Sequence, residues 1–235
     1  MNYSVVICSY NKLESLKIVV SGLQKIDGFE NHEYILSDDF STDGLIEWAH
    51  SCGFFDCVIQ AEGDGGYRLN TLRNNGFERA SNDVVVILDG DCVPVPTFFH
   101  GHSNVFSNYG NAISVGFTDF FDSDGKNMIR KDPRWGDGSG DVKKITWRDV
   151  FGGNIAIPKK IWNEVGKFDI DYNGEWGFED LDFSFRANAI GVDFIADRRT
   201  VANHIQHPIS KSHNASNLHG RNNTLFLSKH GFRPC

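Results

Sequence analysis

Asp83-Val-Val-Val-Ile-Leu-Asp-Gly-Asp91 is the stretch on which the fold turns. Residues 84–88 form an unbroken, β-branched apolar run, the pattern of a strand buried on both faces. The run stops at Asp89-Gly90-Asp91. Two carboxylates one residue apart can bend toward one hard divalent cation where the backbone turns between them, and Gly90 permits a turn. A cation held this way would grip a diphosphate, because Mg²⁺ and Mn²⁺ take oxygen ligands from protein and phosphate together. Alone, an Asp-Gly turn at a strand end is commonplace and needs no ligand.

Upstream, residues 3–9 and 32–36 read as strands, and residues 57–60 as a weaker one. Leu13, Leu16, Val19, Val20 and Leu23 recur at helical spacing, and residues 42–49 and 68–80 also read as helices. Strand and helix thus alternate over the first 100 residues, which implies an α/β fold with a mostly parallel sheet flanked by helices. Ligands in such sheets sit beyond the carboxyl ends of the strands, where Asp38-Asp39 and Asp89/Asp91 fall.

The second half is less regular. Residues 112–121 read as a strand, 158–166 and 180–189 as helices, and 192–195 as a short strand. Residues 202–209 read as irregular and residues 224–229 as a last helical turn. Residues 122–141, rich in Asp, Gly and Ser and carrying Trp135, read as a long loop of the kind that serves as a lid. No repeat and no linker divides the chain, so residues 1–235 are expected to form one domain.

Composition sets outer limits. At 40% hydrophobic and 23% charged residues the 235-residue chain is neither disordered, collagenous nor a coiled coil. A net charge of −8 argues against nucleic acid as a partner. Cys8, Cys52, Cys57, Cys92 and Cys235 show no CxxC or finger spacing and read mostly as reduced thiols, so a cytoplasmic location is expected. No apolar run approaches the roughly 20 residues of a membrane span, and no leader precedes residue 5. Any membrane contact is therefore expected to be peripheral.

Two further groupings carry potential chemistry. In Trp176-Gly-Phe-Glu-Asp-Leu-Asp182, Glu179 and Asp182 share a helical face, and a carboxylate beside Trp and Phe is partly desolvated, as suits a general base. The plainer reading is acidic residues complementing a helix dipole. His204-Ile-Gln-His207 has a spacing that lets two imidazoles share a metal, or that arises by chance on a polar surface.

Taken together, these residues resemble the GT-A glycosyltransferases of the inverting family-2 type. Val5-Val-Ile-Cys-Ser-Tyr-Asn11 is similar to that family's opening strand. Ile35-Leu-Ser-Asp-Asp-Phe-Ser-Thr-Asp-Gly44 is similar to its Asp-Asp-Gly-Ser-Thr-Asp signature, with Phe40 in place of Gly. Leu88-Asp-Gly-Asp91 resembles its DxD motif, and Gly65–Gly76 the donor segment of bacterial chondroitin and hyaluronan-type polymerases. Gly152-Gly-Asn-Ile-Ala-Ile-Pro158 through Asp182 resembles the C-terminal signature of galactosyl- and N-acetylgalactosaminyltransferases, with Phe178 replacing a small residue found in some relatives. The likeness spans roughly residues 3–210.

The resemblance implies a GT-A (Rossmann-like) domain with residues 1–100 as the nucleotide-sugar half and residues 101–235 as the acceptor and catalytic half. It implies metal-dependent transfer from a UDP-sugar, a UDP-hexosamine or UDP-galactose being favoured, to a glycan, a lipid-linked saccharide or a protein. Asp39 would contact uracil, Ser9 and Tyr10 would line the base pocket, and Arg73 would lie near the nucleotide. Gly90 and Trp176 complete the implied donor-binding set. Asp89 would touch ribose or metal. Asp91 and His207 would ligate Mn²⁺ or Mg²⁺, with His204 near a second ligand position. Glu179 would hold a donor-sugar hydroxyl and Asp180 would be the catalytic base. Three alternatives stand beside this reading. One is a haloacid-dehalogenase-like phosphatase using Asp89-Gly-Asp-Cys-Val93. Another is a sugar-nucleotide-forming nucleotidyltransferase, which would need a Gly-rich loop that Cys8-Ser-Tyr-Asn-Lys12 lacks. The third is a sugar-nucleotide binder active only with a partner.

Overall fold

The structure is a computed structural model that describes residues 1–63, 66–136, 140–206 and 220–234. The apolar run becomes strand β4 (Val84–Asp89). Its pleat sends Val85 and Ile87 to a core shared with Leu72, Phe77 and Trp162, and Val84, Val86 and Leu88 to a second core with Leu16, Leu23 and Phe98. Strand β1 (Ser4–Ser9) divides the same way, Val6 to the first core and Val5 and Ile7 to the second. Alternate side chains of a strand face opposite sides, so a strand covered on both faces is apolar throughout.

Elements α1 (Leu13–Leu23), β2 (Glu33–Asp38), α2 (Leu45–Ser51), β3 (Cys57–Gln60) and α3 (Leu69–Arg79) lie between β1 and β4. Leu16, Val19, Val20 and Leu23 form the buried stripe of α1. These strands pair in parallel in the order β3-β2-β1-β4, as the alternation predicts.

Beyond β4 the sheet departs from the mostly parallel expectation and is mixed. The chain continues through β5 (Cys92–Pro94), α4 (Phe98–Asn108), β6 (Ala112–Phe121), β7 (Met128–Arg130), β8 (Val142–Ile145) and β9 (Asn154–Pro158). It then forms α5 (Lys159–Val165), α6 (Glu179–Ala189), β10 (Asp193–Ile205) and α7 (Arg221–His230). The order runs on as β4-β9-β6-β10-β5, with β9 antiparallel to both β4 and β6, and β10 antiparallel to β5 and β8. Strands β8 and β9 run in the same direction, both opposed to β6 and β10, so β9 fills the gap between β4 and β6 antiparallel to each neighbour.

Three second-half expectations change. The short strand expected at 192–195 is the start of β10, which also takes in residues 202–205; its register shifts between Ala196 and Val201, where Asp197-Arg-Arg-Thr200 interrupts the apolar pattern. Residues 122–136 are no free loop. Strand β7 pairs with β6, and Arg134 is buried, its Nη2 donating to the Gly116 carbonyl at 2.7 Å and its Nε to Asp132 at 2.9 Å. The last helix is longer than the single turn read from the sequence. Cys8, Cys52, Cys57 and Cys92 are free thiols. Among the described residues no helix is long and apolar enough to cross a membrane.

Candidate active site

Strand register builds the first part of the site. Ser9 lies opposite Asp38 and Cys8 opposite Asp89, so the carboxyl ends of β2, β1 and β4 finish on one rim. The Asp39 N–H donates to the Ser9 carbonyl at 3.0 Å, and the Gly90 N–H to the Cys8 carbonyl at 2.9 Å. Gly90 is not in the left-handed region. It is a glycine for space: a Cβ there would stand 2.9 Å from Ser9 Oγ and 3.1 Å from the Cys8 carbonyl.

The tandem acids divide their work. Asp38 is fully buried and accepts from the Ser41 N–H at 2.8 Å and Gln60 Nε2 at 3.2 Å, which shapes the loop after β2. Asp39 is held by Arg68, whose backbone N–H donates to Oδ2 at 2.9 Å and whose Nε donates to Oδ1 at 2.6 Å. Ser9 Oγ and Arg68 Nη2 are buried and have no hydrogen-bond partner among the described residues.

Asp91 is 2% exposed. Its Oδ2 receives the ammonium of Lys12 and lies 3.5 Å from His204 Nε2, while Cys92 Sγ donates to Oδ1 at 3.6 Å. His204 arrives because β10 runs antiparallel to β5, with His204 opposite Cys92 and the Ile205 N–H donating to the Asp91 carbonyl at 2.9 Å. The Asp89 carboxyl is pushed up to about 6, chiefly by burial and then by the Asp91 charge, against the pull of Arg73 and Lys12.

The other side of β4 supplies the rest. Leu88 lies opposite Asn154, so antiparallel β9 delivers Gly152 and Gly153, just before its first residue, to the same rim. Asp89 donates its N–H to the Gly153 carbonyl at 3.0 Å. The Gly152 N–H donates to Asp180 Oδ2 at 2.8 Å, and Arg73 Nη1 donates to Asp180 Oδ1 at 2.6 Å. A Cβ on Gly152 would stand 2.1 Å from Asp180 Oδ1, and one on Gly153 2.4 Å from Asp89 Oδ2, so neither position has room for a side chain.

Helix α6 begins at Glu179, after Phe178 in the left-handed region at φ 69°. A bulky residue there is strained, and such strain persists only where surrounding packing imposes it. Glu179 is buried, and its Oε2 has no hydrogen-bond partner among the described residues. Its carboxyl is pushed up to about 8, first by burial and then by the Asp180 charge, with Arg73 opposing. Asp182 leaves this group despite its spacing from Glu179, pairing with Arg186 at 2.7 Å and His230 at 2.8 Å. Tyr10 and Trp176 are about half exposed, Tyr10 just past β1 and Trp176 on the approach to α6.

His207 lies outside the described residues. Among the described residues no three His, Cys, Asp or Glu side chains are grouped to hold a metal ion. The donors present still fit a divalent cation in part. The Asp91 Oδ2 already accepts one positive group, the ammonium of Lys12, and an imidazole nitrogen faces the same oxygen. Carboxylate suits Mg²⁺ or Mn²⁺, and the remaining positions would need oxygens of a ligand.

Lys12, Arg68 and the Gly152-Gly153 pair entered the site without a role assigned from sequence. The double glycine before an apolar run was the visible signal, because paired glycines mark a close backbone approach.

A family model described as glycosyl transferase family 2 matches residues 4–166. The chondroitin synthase of Escherichia coli is 26% identical over 95% of this chain and 37% of its own length. The hyaluronan synthase of Pasteurella multocida is 24% identical over 96% of this chain and 26% of its own length. The chain thus spans between about a quarter and somewhat over a third of these relatives. Among solved structures, GalNAc-T7 with UDP, GalNAc and Mn²⁺ superposes with a TM-score of 0.71 at 20% identity, covering 88% of this chain and 44% of that one. S. aureus TarS 1-349 with UDP-GlcNAc superposes at 0.69 and 14% identity, covering 89% and 60%. The rim of carboxylates at the strand ends thus sits in a single α/β domain of GT-A-like fold, and the chain belongs to glycosyl transferase family 2.

Proposed function

We propose that this chain transfers a sugar from a UDP-sugar to an acceptor hydroxyl with inversion, using Asp180 as general base and a divalent cation, Mn²⁺ or Mg²⁺, at Asp91 and Asp89. The observation that carries the reading is the held carboxylate. Asp180 has one oxygen fixed by Arg73 and the other by the Gly152 N–H, on the rim that carries Asp89. Each carboxylate oxygen keeps a further lone pair. Asp180 is thereby oriented to accept a proton without being saturated.

In the step proposed, Asp180 takes the acceptor hydroxyl proton. The acceptor oxygen forms its bond to the anomeric carbon as that carbon's bond to the diphosphate oxygen breaks. The sugar passes through an oxocarbenium-like state, and UDP departs from the opposite face. A bound divalent cation would supply neutralisation of the charge gathering on that diphosphate. Glu179, whose carboxyl is pushed up by burial and by the Asp180 charge, would hold a donor-sugar hydroxyl, donating a hydrogen bond in its protonated form. Asp39, Ser9 and Tyr10 would receive the base. Arg73, Gly90 and Trp176 would border the donor, and His207 would join Asp91 on the cation.

This reading makes residues 1–100 the nucleotide-sugar half and residues 101–235 the acceptor half. The neighbours solved with UDP and GalNAc and with UDP-GlcNAc favour a UDP-hexosamine donor over UDP-galactose, and the relatives named for chondroitin and hyaluronan synthesis favour a glycan acceptor. Lipid-linked and protein acceptors remain within the same chemistry, and the four free thiols among the described residues fit a cytoplasmic setting. Calorimetric titration of UDP, with GDP as control, tests the donor site. Binding of UDP that requires Mn²⁺ and is lost in Asp91→Ala is the expected result. Failure of wild type to bind UDP in Mn²⁺ would overturn donor binding by this chain alone. Turnover of a simple phosphate ester would favour a phosphatase instead.

A further inference from the structure

Lys12 immediately precedes α1, and its carbonyl accepts the Leu16 N–H at 2.9 Å, so its backbone is fixed by the helix. Its side chain reaches Asp91, 79 positions away in sequence, and its ammonium contacts Oδ2. The two partners differ in exposure: the Asp91 side chain is 2% exposed and that of Lys12 29%. A buried carboxylate needs a counter-charge, the more so with Asp89 beside it. Lysine supplies that charge as a compact ammonium on a flexible four-carbon stem, without the fixed fork of an arginine. It is therefore the kind of counter-ion that can be exchanged. A cation bound directly to the same oxygen would stand within a few ångströms of the ammonium, and like charges at that distance repel strongly.

We propose that Lys12 is the exchangeable counter-ion of the donor site. It neutralises Asp91 while no divalent cation is bound, yields that oxygen when one arrives, and then directs its ammonium to the diphosphate of the donor. The inference rests on the reading of Asp91 as a cation ligand. It adds a residue whose effect on metal and on nucleotide has opposite sign, which a merely structural lysine would not show.

The test measures binding rather than turnover. Mn²⁺ is titrated without nucleotide, followed by loss of the free-ion electron paramagnetic resonance signal, and UDP is then titrated calorimetrically in saturating Mn²⁺. In Lys12→Met, Mn²⁺ alone should bind about tenfold more tightly and UDP about tenfold more weakly than in wild type. Unchanged or weakened Mn²⁺ binding in Lys12→Met, with metal-dependent UDP binding intact in wild type, overturns the exchange and leaves the proposed function standing. Absence of metal-dependent UDP binding in wild type overturns both. Should Lys12→Met fail to fold, Lys12→Arg decides the matter. Its fork grips Asp91 harder and should weaken Mn²⁺ binding, and an unchanged affinity would overturn the proposal.

Discussion

The two sides of β4 feed the same rim in opposite ways. On the β1 side, parallel neighbours bring their carboxyl ends, so Ser9 meets Asp38 and Cys8 meets Asp89 through register, and the Asp39 N–H bond to the Ser9 carbonyl sets Asp39 on the same rim. On the β9 side an antiparallel neighbour brings its amino end, and the contact is made by backbone: Gly153 to Asp89 and Gly152 to Asp180. The first side needs only repeated strand–helix units. The second needs two glycines packed against carboxylates, a helix entered through a strained Phe178 and an arginine drawn from the first half.

The largest effect that separates the sides is on chemistry. Asp180→Asn should lower sugar transfer by about 10²–10⁴-fold while UDP binding in Mn²⁺ stays near wild type. Normal turnover would remove Asp180 from its role and leave the β1 side unaffected. Next is a stability test confined to the second half. Arg134→Met removes the buried counter-charge of Asp132 and the donor to the Gly116 carbonyl, and should cost roughly 3 kcal/mol in urea unfolding, because the buried aspartate keeps only backbone N–H partners and loses its cation. A loss below about 0.5 kcal/mol, the range of ordinary surface changes, would mean that residues 122–136 are not pinned as described.

Gly152→Ala sharpens the comparison further. Its methyl must displace Asp180 or Arg73, at an overpacking cost of about 1–3 kcal/mol. Transfer should fall about tenfold or more, by the same free-energy scale, with the melting temperature lowered only modestly. Equal turnover would show that the close approach does not set the position of Asp180.

The smallest expected effect is a pH trend. The Glu179 carboxyl rises from 4.5 to about 8 in the folded chain. The fold therefore favours its neutral form, and the stability this contributes is complete below about pH 4.5 and lost as pH rises through about 8. Glu179→Gln does not titrate. Wild type should lose melting temperature relative to Glu179→Gln between pH 5 and 8, and a constant difference across that window would mean Glu179 is ionised throughout. Asp89, pushed up to about 6, titrates in both proteins and drops out of the comparison.

Two departures from the family pattern acquire a physical meaning here. Phe40 and Phe178 both lie at positive φ, 65° and 69°. Phe40 stands where the family signature has glycine, which would sit there without strain. The sequence displays the substitutions but not the backbone state that makes them costly.

What the residue order dictates is local. Apolar runs alternating with helical stripes require a parallel αβ layer through β4, because only that arrangement buries both faces of β1 and β4. The acidic clusters then fall at strand ends without further information. The mixed second half was not legible, because short strands such as β5, β7 and β8 carry too few residues for a period to emerge. Residues 154–158 entered the reading as part of a family signature, and their strand direction depends on which gap in the sheet is open. Lys12 with Asp91, Arg68 with Asp39 and Arg73 with Asp180 belong to the same class. Each joins residues from distant parts of the chain, and no local pattern encodes which charge a buried carboxylate will meet. That choice is made when the sheet closes and each carboxylate, leaving water, takes the nearest cation or N–H that packing provides.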